Sequence, residues 1–504
     1  MKLFLADEMH KLDAKAIKEI GMPELVLMEN AGRGITEAVE EYLEEIEGRH
    51  IVILAGKGNN GGDGLVAARL LAKAGAEVTV VLAEAAEKLS ASTFTEYQIL
   101  QQCLVEILFW DETLKTQDYI LEACLEADVV IDALLGTGFK GKLHGNYEEI
   151  ITALPEEIPV IAVDIPSGVE ADTGRVDKAL PAVLTVTMIA PKLGLYLYPG
   201  AAYSGDVWVA DLGSPGILVE AAACKHFLLT SELIQQLLPQ RAPTAHKGSN
   251  GRIALRAGSP GYVGAAELVS KAAVRAGSGL VHLYTSPETV DILSIKLTEI
   301  MVEAMDMSAT TEGFDALGIG PGLGKNVALQ EALRKYLLGT TKPLVIDADG
   351  LNAFVGYEEE LTKVQQKILT PHPAELARLL AVTTQEILQD PIGYAKLAAA
   401  KFQGIVLLKT VPAMVALPSG TVYLNTSGNE GMATGGCGDV LTGIITALLG
   451  QHLDLAEAAL CGMYIHGRAG DLAAQKGKIG MKAGDLIDWL PQAIDMVLQG
   501  IDIE

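Results

Sequence analysis

The sequence predicts a parallel α/β protein built as two successive units. Three observations carry that reading. Apolar strand-like runs alternate with amphipathic helical stretches along the whole chain, the pattern of sheets covered by helices. Several of those runs end in glycine or aspartate, where open parallel sheets bind their ligands. Glycine turns that open a helix occur in each half, at Gly56–Gly64 and at Gly435–Asp439.

The chain has 504 residues, 49% of them hydrophobic, so large packed cores are available and disorder is not expected. Length alone permits about three domains, and two large α/β units fit as well. The formal net charge is −26. Such a surface repels nucleic acid and anionic membranes, so neither is an expected partner, and any phosphate site has to be built locally from N–H groups, Lys, Arg or metal. The five cysteines, Cys103, Cys124, Cys224, Cys437 and Cys461, are scattered and lack C-x-x-C spacing. That usage predicts a reducing, cytoplasmic location and argues against a zinc site or a disulfide framework. The opening Met1–Glu8 is too short an apolar run for a signal peptide, and no uncharged stretch approaches a membrane span.

In the first half, Ile51–Ala55, Val78–Leu82, Val129–Asp132 and Val160–Asp164 read as buried strands, with a helix near 63–74. Asp132 and Asp164 end two of them, placed either for chemistry or as caps of the following turns. After the first strand, Gly56, Gly58 and Gly61 satisfy G-x-G-x-x-G, and Glu84 stands roughly where a ribose-binding acid belongs, so a dinucleotide-binding loop is one reading. The same loop carries Asn59, Asn60 and Asp63, whose oxygens are hard ligands for a cation; a tight turn with left-handed Asn is the plain alternative. Gly136-Thr137-Gly138-Phe139-Lys140-Gly141-Lys142 joins flexible backbone to two cations, as a phosphate-contacting loop would. In Asp164-Ile165-Pro166-Ser167-Gly168 the proline stiffens the turn and Ser167 sets a hydroxyl beside Asp164.

A break after Gly213–Gly216 places the domain boundary near 225, dividing the chain into 1–225 and 226–504. A new strand–glycine–helix unit then starts with Ile253–Leu255 and Gly258. Glycine turns recur at Gly318–Gly324, paired carboxylates at Asp347 and Asp349, His372 between two prolines, and Lys409 at the end of the strand-like Ile405–Leu408. Gly435-Gly436-Cys437-Gly438-Asp439 then opens the helical run Val440–Leu449. Free N–H groups and the positive end of the helix dipole suit a phosphate there. Asp439 stands where it takes a proton from an attacking hydroxyl, which reads as phosphoryl transfer to an alcohol. The plainer reading makes Asp439 an N-cap. Likewise His372 reads as a rigid-turn residue, Lys409 as a surface lysine after an edge strand, and Cys437 as an inert small filler.

Taken together, these motifs and Leu27-Met28-Glu29-Asn30-Ala31-Gly32 resemble the bifunctional NAD(P)H-hydrate repair enzymes, in which an NAD(P)H-hydrate epimerase is fused to an ADP- or ATP-dependent NAD(P)H-hydrate dehydratase. The resemblance implies a Rossmann-like three-layer N-terminal domain and a ribokinase-like α/β C-terminal domain. It implies that Asn60, Asp132 and Ser167 contact a potassium ion (K+). It also implies that Asn59, Asn60, Gly61, Gly62, Asp63, the loop Gly136–Lys142 and Asp164 contact the hydrated dinucleotide. In the second half it implies AMP against Lys409, Thr410, Val411, Pro412, Ala413 and Gly438, and the hydrate against Ala265, Gly322, His372 and Asp439. The implied chemistry is epimerisation of the R and S hydrates at C6, with Asp164 as acid/base group, followed by phosphorylation of the S hydrate's hydroxyl and loss of phosphate. Asp439 is then the base, with ADP favoured over ATP and Mg2+ supported through water by Asp349 and Asn352. A homo-oligomer is expected. The chain departs from the family's usual residues at Cys437, where Ser, Ala or Met is commoner, and at Thr410, where Gly is common. Three rival functions make different predictions. A small-molecule kinase fused to a non-catalytic binding domain would leave a stable phosphoester. A dehydrogenase using Gly56, Gly58 and Gly61 would oxidise or reduce its cofactor. A dinucleotide sensor would bind without turnover.

Overall fold

The computed structural model describes residues 1–110, 113–308 and 311–501. The chain divides into two compact units, Lys2–His226 and Phe227–Glu504 together with Met1.

In the first unit, seven parallel strands lie in the order Glu106–Phe109, Glu77–Leu82, His50–Ala55, Val129–Ala133, Val160–Val163, Leu184–Met188, Asp206–Ala210. The central strands are Val/Ile/Leu runs buried along almost their whole length, as a parallel sheet covered on both faces requires. One face packs on the helices Glu24–Leu43 and Asn59–Lys73, and the other on Leu114–Glu126 and Asn146–Ala153, giving three layers. The chain runs outward from His50–Ala55 to one edge and then returns to start Val129–Ala133 on its other side. The crevice between those two strands is therefore the switch point where a ligand is expected.

The glycine segment after His50–Ala55 corrects the expected helix start: the helix begins at Asn59, so Gly61, Gly62 and Gly64 lie within it. Close packing is the reason for glycine there. A Cβ on Gly61 would meet the Gly56 carbonyl at 1.9 Å, and one on Gly64 would meet the Ala133 Cβ at 2.7 Å.

Among the described residues of the second unit, strands lie in the order Val422–Asn425, Ala413–Ala416, Ile405–Leu408, Lys367–Leu369, Leu344–Ile346, Ala316–Ile319, Arg252–Arg256, Leu280–Thr285, Met301–Ala304. They are parallel from Ile405–Leu408 onward, while the first two pair antiparallel. Here the switch point falls between Arg252–Arg256 and Ala316–Ile319. The helix Cys437–Gly450 is buried almost throughout and packs between the sheet and the helices Val263–Arg275 and Leu455–Ala474. It starts three residues before the expected Val440, which puts Asp439 in its first turn rather than in a loop.

Gly320 has φ of 133°, and a Cβ there would lie 1.8 Å from the Asp347 carbonyl oxygen. Gly320→Ala should therefore destabilise the protein by about 1–3 kcal/mol or more through overpacking. Gly339→Ala, with ordinary backbone and no atom closer than 3.6 Å, should change stability by less than about 0.5 kcal/mol. Denaturant unfolding of the two variants checks this; equal losses would refute the packing argument.

Candidate active sites

At the first switch point a cavity of about 620 Å³ opens beside the strand ends. Asn59, Asn60, Asp63, Gly136, Thr137, Gly138 and Asp164 all line it. Gly61 and Gly62 do not, since both are turned into the helix packing against Gly56 and Met28. The rest of the glycine-lysine loop also lies off the cavity wall. Phe139 packs against the core, Lys140 pairs with Asp172 at 3.2 Å, and the Gly141 N–H goes to Glu170. Glu84 pairs with Lys88 and does not reach the cavity, which removes the ribose-binding acid of the dehydrogenase reading.

Asp164 follows its strand with φ of 68°, a left-handed backbone that costs a non-glycine residue about 1–3 kcal/mol and that clusters at functional sites. Its carboxylate accepts from the Met188 N–H at 3.2 Å and the Thr187 hydroxyl at 3.4 Å, and it pairs with Lys192. The cation beside Asp164 is thus a lysine that sequence reasoning missed. Only its place after a strand, at Pro191-Lys192, hinted at a role. Asp13, on the helix Ala6–Lys15, is a second cavity residue that went unread, because a lone acid on an amphipathic helix looks like a solvated face.

Asp132 is 1% exposed and has no cationic partner among the described residues. The Ser167 hydroxyl and N–H donate to it at 2.6 and 2.8 Å, and the Leu134 N–H at 3.2 Å. Burial pushes its carboxyl up, against those hydrogen bonds. Nearby, the Asn60 amide nitrogen is buried without a partner, and Gly136 comes close enough that a Cβ would lie 3.3 Å from the Asn60 Oδ1. One uncompensated carboxylate among neutral oxygens is a donor set that fits a monovalent, weakly hydrated cation.

The second site is built around Lys409. Its strand, Ile405–Leu408, lies inside the sheet, so the surface reading of this lysine does not hold. Its ammonium donates to Asp347 Oδ1 at 2.7 Å and lies 3.9 Å from Glu375 Oε2. The Thr442 hydroxyl takes the other Asp347 oxygen at 2.7 Å. Burial opposes the ammonium's charge, but Asp347 and Glu375 together hold it above the ordinary lysine range. Gly438 passes directly over this pair, since a Cβ there would lie 3.4 Å from the Lys409 Nζ.

Asp439 is next along the helix. It does not cap: Gly436, with φ of 98°, is the N-cap residue and no side chain caps the end. Burial, then Asp347, Asp349 and Glu375 against a single opposing Lys409, pushes the Asp439 carboxyl up to about 7. His466 donates from Nε2 to the Cys437 carbonyl at 2.9 Å, anchoring the same turn, and burial keeps it neutral, with a pKa of about 4. The Cys437 thiol is pushed up to about 11 by burial, consistent with an inert filler.

His372 does serve a rigid turn: its Nδ1 accepts from the Ala374 and Glu375 N–H groups at 3.2 and 3.3 Å, capping the helix Pro373–Leu380. Its Nε2 faces Glu375 Oε1 at 3.3 Å. Gly322 and Ala265 meet, a Cβ on the glycine falling 3.0 Å from that of Ala265. Asp349 accepts the Gly324 N–H at 2.8 Å, while the Asn352 carbonyl oxygen is taken by Arg378 at 2.9 Å. The carboxylates around Lys409 outnumber its single charge, a donor set that fits a divalent cation; the Asn352 oxygen is the weaker candidate because Arg378 already holds it. Val411 lies 76% exposed beside these residues in sequence, and Thr410 is fixed by a bond from its hydroxyl to the Pro412 carbonyl.

Among the described residues no helix is long and apolar enough to cross a membrane, and all five cysteines are free.

Comparisons with known proteins agree across both units. A family described as YjeF-related protein N-terminus matches residues 24–194, and one described as NAD(P)H-hydrate dehydratase matches residues 253–492. The bifunctional NAD(P)H-hydrate repair enzyme of Moorella thermoacetica is 42% identical, covering 98% of this chain and 97% of its own length. That of Escherichia coli is 34% identical, covering 98% and 94%. Among solved structures, the ADP/ATP-dependent NAD(P)H-hydrate dehydratase of Bacillus subtilis, co-crystallised with ATP and Mg2+, is 31% identical with a TM-score of 0.50 over 54% of this chain and 98% of its own. A ribokinase-like protein of Enterococcus faecalis has the same score at 27% identity, covering 55% of this chain and 97% of its own. With two-domain relatives matched over nearly their whole length, the chain belongs to the bifunctional NAD(P)H-hydrate repair enzymes.

Proposed function

We propose that the first unit interconverts the R and S hydrates of NADH and NADPH at C6, and that the second unit dehydrates the S hydrate at the expense of ADP in preference to ATP. The observation that carries this reading is the placement of Asp439 in the first turn of a glycine-capped helix beside Lys409, where burial and then Asp347 push its carboxyl up to about 7. A base poised near neutrality is the one best matched to take a proton from a hydroxyl at physiological pH.

In the second site, Asp439 takes the C6 hydroxyl proton as the oxygen attacks the terminal phosphoryl group of ADP. The N–H groups of Gly436–Asp439 and the Lys409 ammonium face the charge that develops on that group. AMP leaves. Hydroxide is a poor leaving group and phosphate a good one, so the N1 electron pair of the ring now expels phosphate, and loss of a C5 proton regenerates NAD(P)H. His372, Ala265 and Gly322 form the hydrate side of the site, and Lys409–Ala413 with Gly438 the AMP side. Bound Mg2+ would supply charge neutralisation to the phosphates, with Asp347, Asp349 and Glu375 as the acidic residues at hand.

In the first site, Asp164 is the acid/base group for the C6 hydroxyl, held in place by its ion pair with Lys192. Asn60, Asp132 and Ser167 would hold K+, which would supply a charge to offset the buried Asp132 carboxylate.

Asp439→Asn should lower dehydration by about 10²–10⁴-fold while leaving R-to-S epimerisation intact. In the wild type, kcat/KM for dehydration should rise as pH passes through about 7 and then level off, because only the ionised carboxylate accepts the proton. Absorbance of regenerated NADH from chemically hydrated NADH plus ADP measures both; a flat profile or an active variant would refute the assignment. A second expectation concerns the cation. Epimerisation in sodium- and potassium-matched buffers should be faster in potassium, and Asp132→Asn should abolish the difference.

A further inference from the structure

The first site holds more acid than the reaction above uses. Asp13 on the helix Ala6–Lys15, Asp63 on Asn59–Lys73 and Asp164 at a strand end all line the one cavity, and its only buried ammonium is Lys192. That ammonium has three protons to donate. They go to Asp164, to the Thr187 hydroxyl at 3.0 Å and to the Met188 carbonyl at 3.0 Å. Lys192 is therefore committed, and it balances one carboxylate.

Asp13 and Asp63 are left over. The side-chain carboxyl of neither accepts a hydrogen bond from another described residue. Burial raises the Asp63 carboxyl well above its ordinary range, and Asp164 and Asp13 raise it further, against Lys192. Burial and Asp164 raise Asp13 too, though less, with Lys192 and His10 opposing. The other ionisable groups on the cavity wall are Glu24, Lys57 and Tyr147. Glu24 adds to the negative field, and its carboxylate is engaged by the Asn59 amide at 2.6 Å.

We propose that Asp63 is the general acid of the epimerisation, acting opposite Asp164, and that Asp13 is a positioning residue that keeps the proton on Asp63. The inference rests on the epimerase reading of this unit. The C6–O bond of the hydrate breaks, and its electron pair leaves with the oxygen. That oxygen takes the Asp63 proton and departs as water. The N1 lone pair forms an N1=C6 bond, giving an iminium cation. A water then adds to C6 from the opposite face, the N1=C6 pair returns to N1, and Asp164 takes the proton that the water sheds. Nothing is oxidised or reduced; Asp164 releases its proton to solvent, and solvent returns one to Asp63. The alternative route, opening the ring at N1–C6, leaves the original oxygen on C6.

The test uses the full chain without nucleotide and a purified R hydrate in 18O-labelled water. Each inversion should place one solvent oxygen on C6, read by mass spectrometry. S hydrate that retains the original oxygen would overturn the proposal. Asp63→Asn should lower kcat for epimerisation by about 10²–10⁴-fold with KM changed by only a few-fold, and Asp63→Glu should recover part of it. Asp13→Asn removes a negative neighbour. It should move the fall of epimerisation at alkaline pH to lower pH, and Asp13→Glu should move it back. ADP-dependent dehydration of the S hydrate by the same preparations reports that each chain is folded. Wild-type epimerisation by a folded Asp63→Asn chain would overturn the assignment. A wild-type chain that dehydrates but never epimerises would instead refute the epimerase reading on which the inference stands.

Discussion

Both sites depend on backbone passing against backbone with no room for a side chain. A Cβ on Gly56 would lie 1.8 Å from the Leu134 carbonyl, and one on Gly320 the same distance from that of Asp347. The first contact falls where its sheet reverses strand order, between His50–Ala55 and Val129–Ala133; the second joins Ala316–Ile319 to Leu344–Ile346, one strand along from the switch point. In both, the segments that leave adjacent strands are pinned together just beyond their carboxyl ends. The pinning delivers Asn60 to the edge of the Gly136 loop and brings Asp347 beneath Gly438. Larger residues at Gly56 or Gly320 would separate the strand ends, and the side chains they carry would lose their common focus.

The two sites meet a shared electrostatic difficulty in the same way. Each collects several carboxylates around one lysine that is largely withdrawn from solvent, and in each the lysine is spent on a strand-end or near-strand aspartate: Lys192 on Asp164, Lys409 on Asp347. Burial, with neighbouring carboxylates, raises the proton affinities of Asp13, Asp63, Glu375 and Asp439. In the second unit this tunes Asp439 to about 7. The net charge of −26 is consistent with sites that admit anionic nucleotides only where local N–H groups, lysine or metal outweigh the surrounding field.

Much of this was legible in the sequence, for identifiable reasons. The central strands announce themselves as uninterrupted Val/Ile/Leu runs, and the motifs at their ends bring Asn59, Asn60, Asp63, Gly136 and Asp164 onto one cavity wall. The outer strands Glu106–Phe109 and Asp206–Ala210 were not read, because half-buried strands with charges at one end lose the apolar signal. Helix starts were placed too late at Gly58–Asp63 and Gly436–Asp439, since glycine suggests loop when only local propensity is weighed, whereas here interhelical and strand contacts demand it. Lys192 and Asp13 escaped notice because neither carries a motif. Their significance exists only once the strand Leu184–Met188 and the helix Ala6–Lys15 are brought to the same cavity.

The cap made by His372 ties the surroundings of Lys409 to the integrity of a helix. Its Nδ1 is occupied as the acceptor of two backbone N–H groups, which pins the ring proton on Nε2 and fixes the direction in which that proton points. Burial and then Lys409 and Arg378 depress its pKa in the folded protein. A folded value below the unfolded value of about 6.5 stabilises the protein above that pH, and the contribution drains away as pH falls through the folded value. Acidification therefore does more than protonate Asp439. A second proton on this ring turns the acceptor of the cap into a donor, and the first turn of Pro373–Leu380 loses its anchor together with Glu375, the carboxylate that stands beside Lys409.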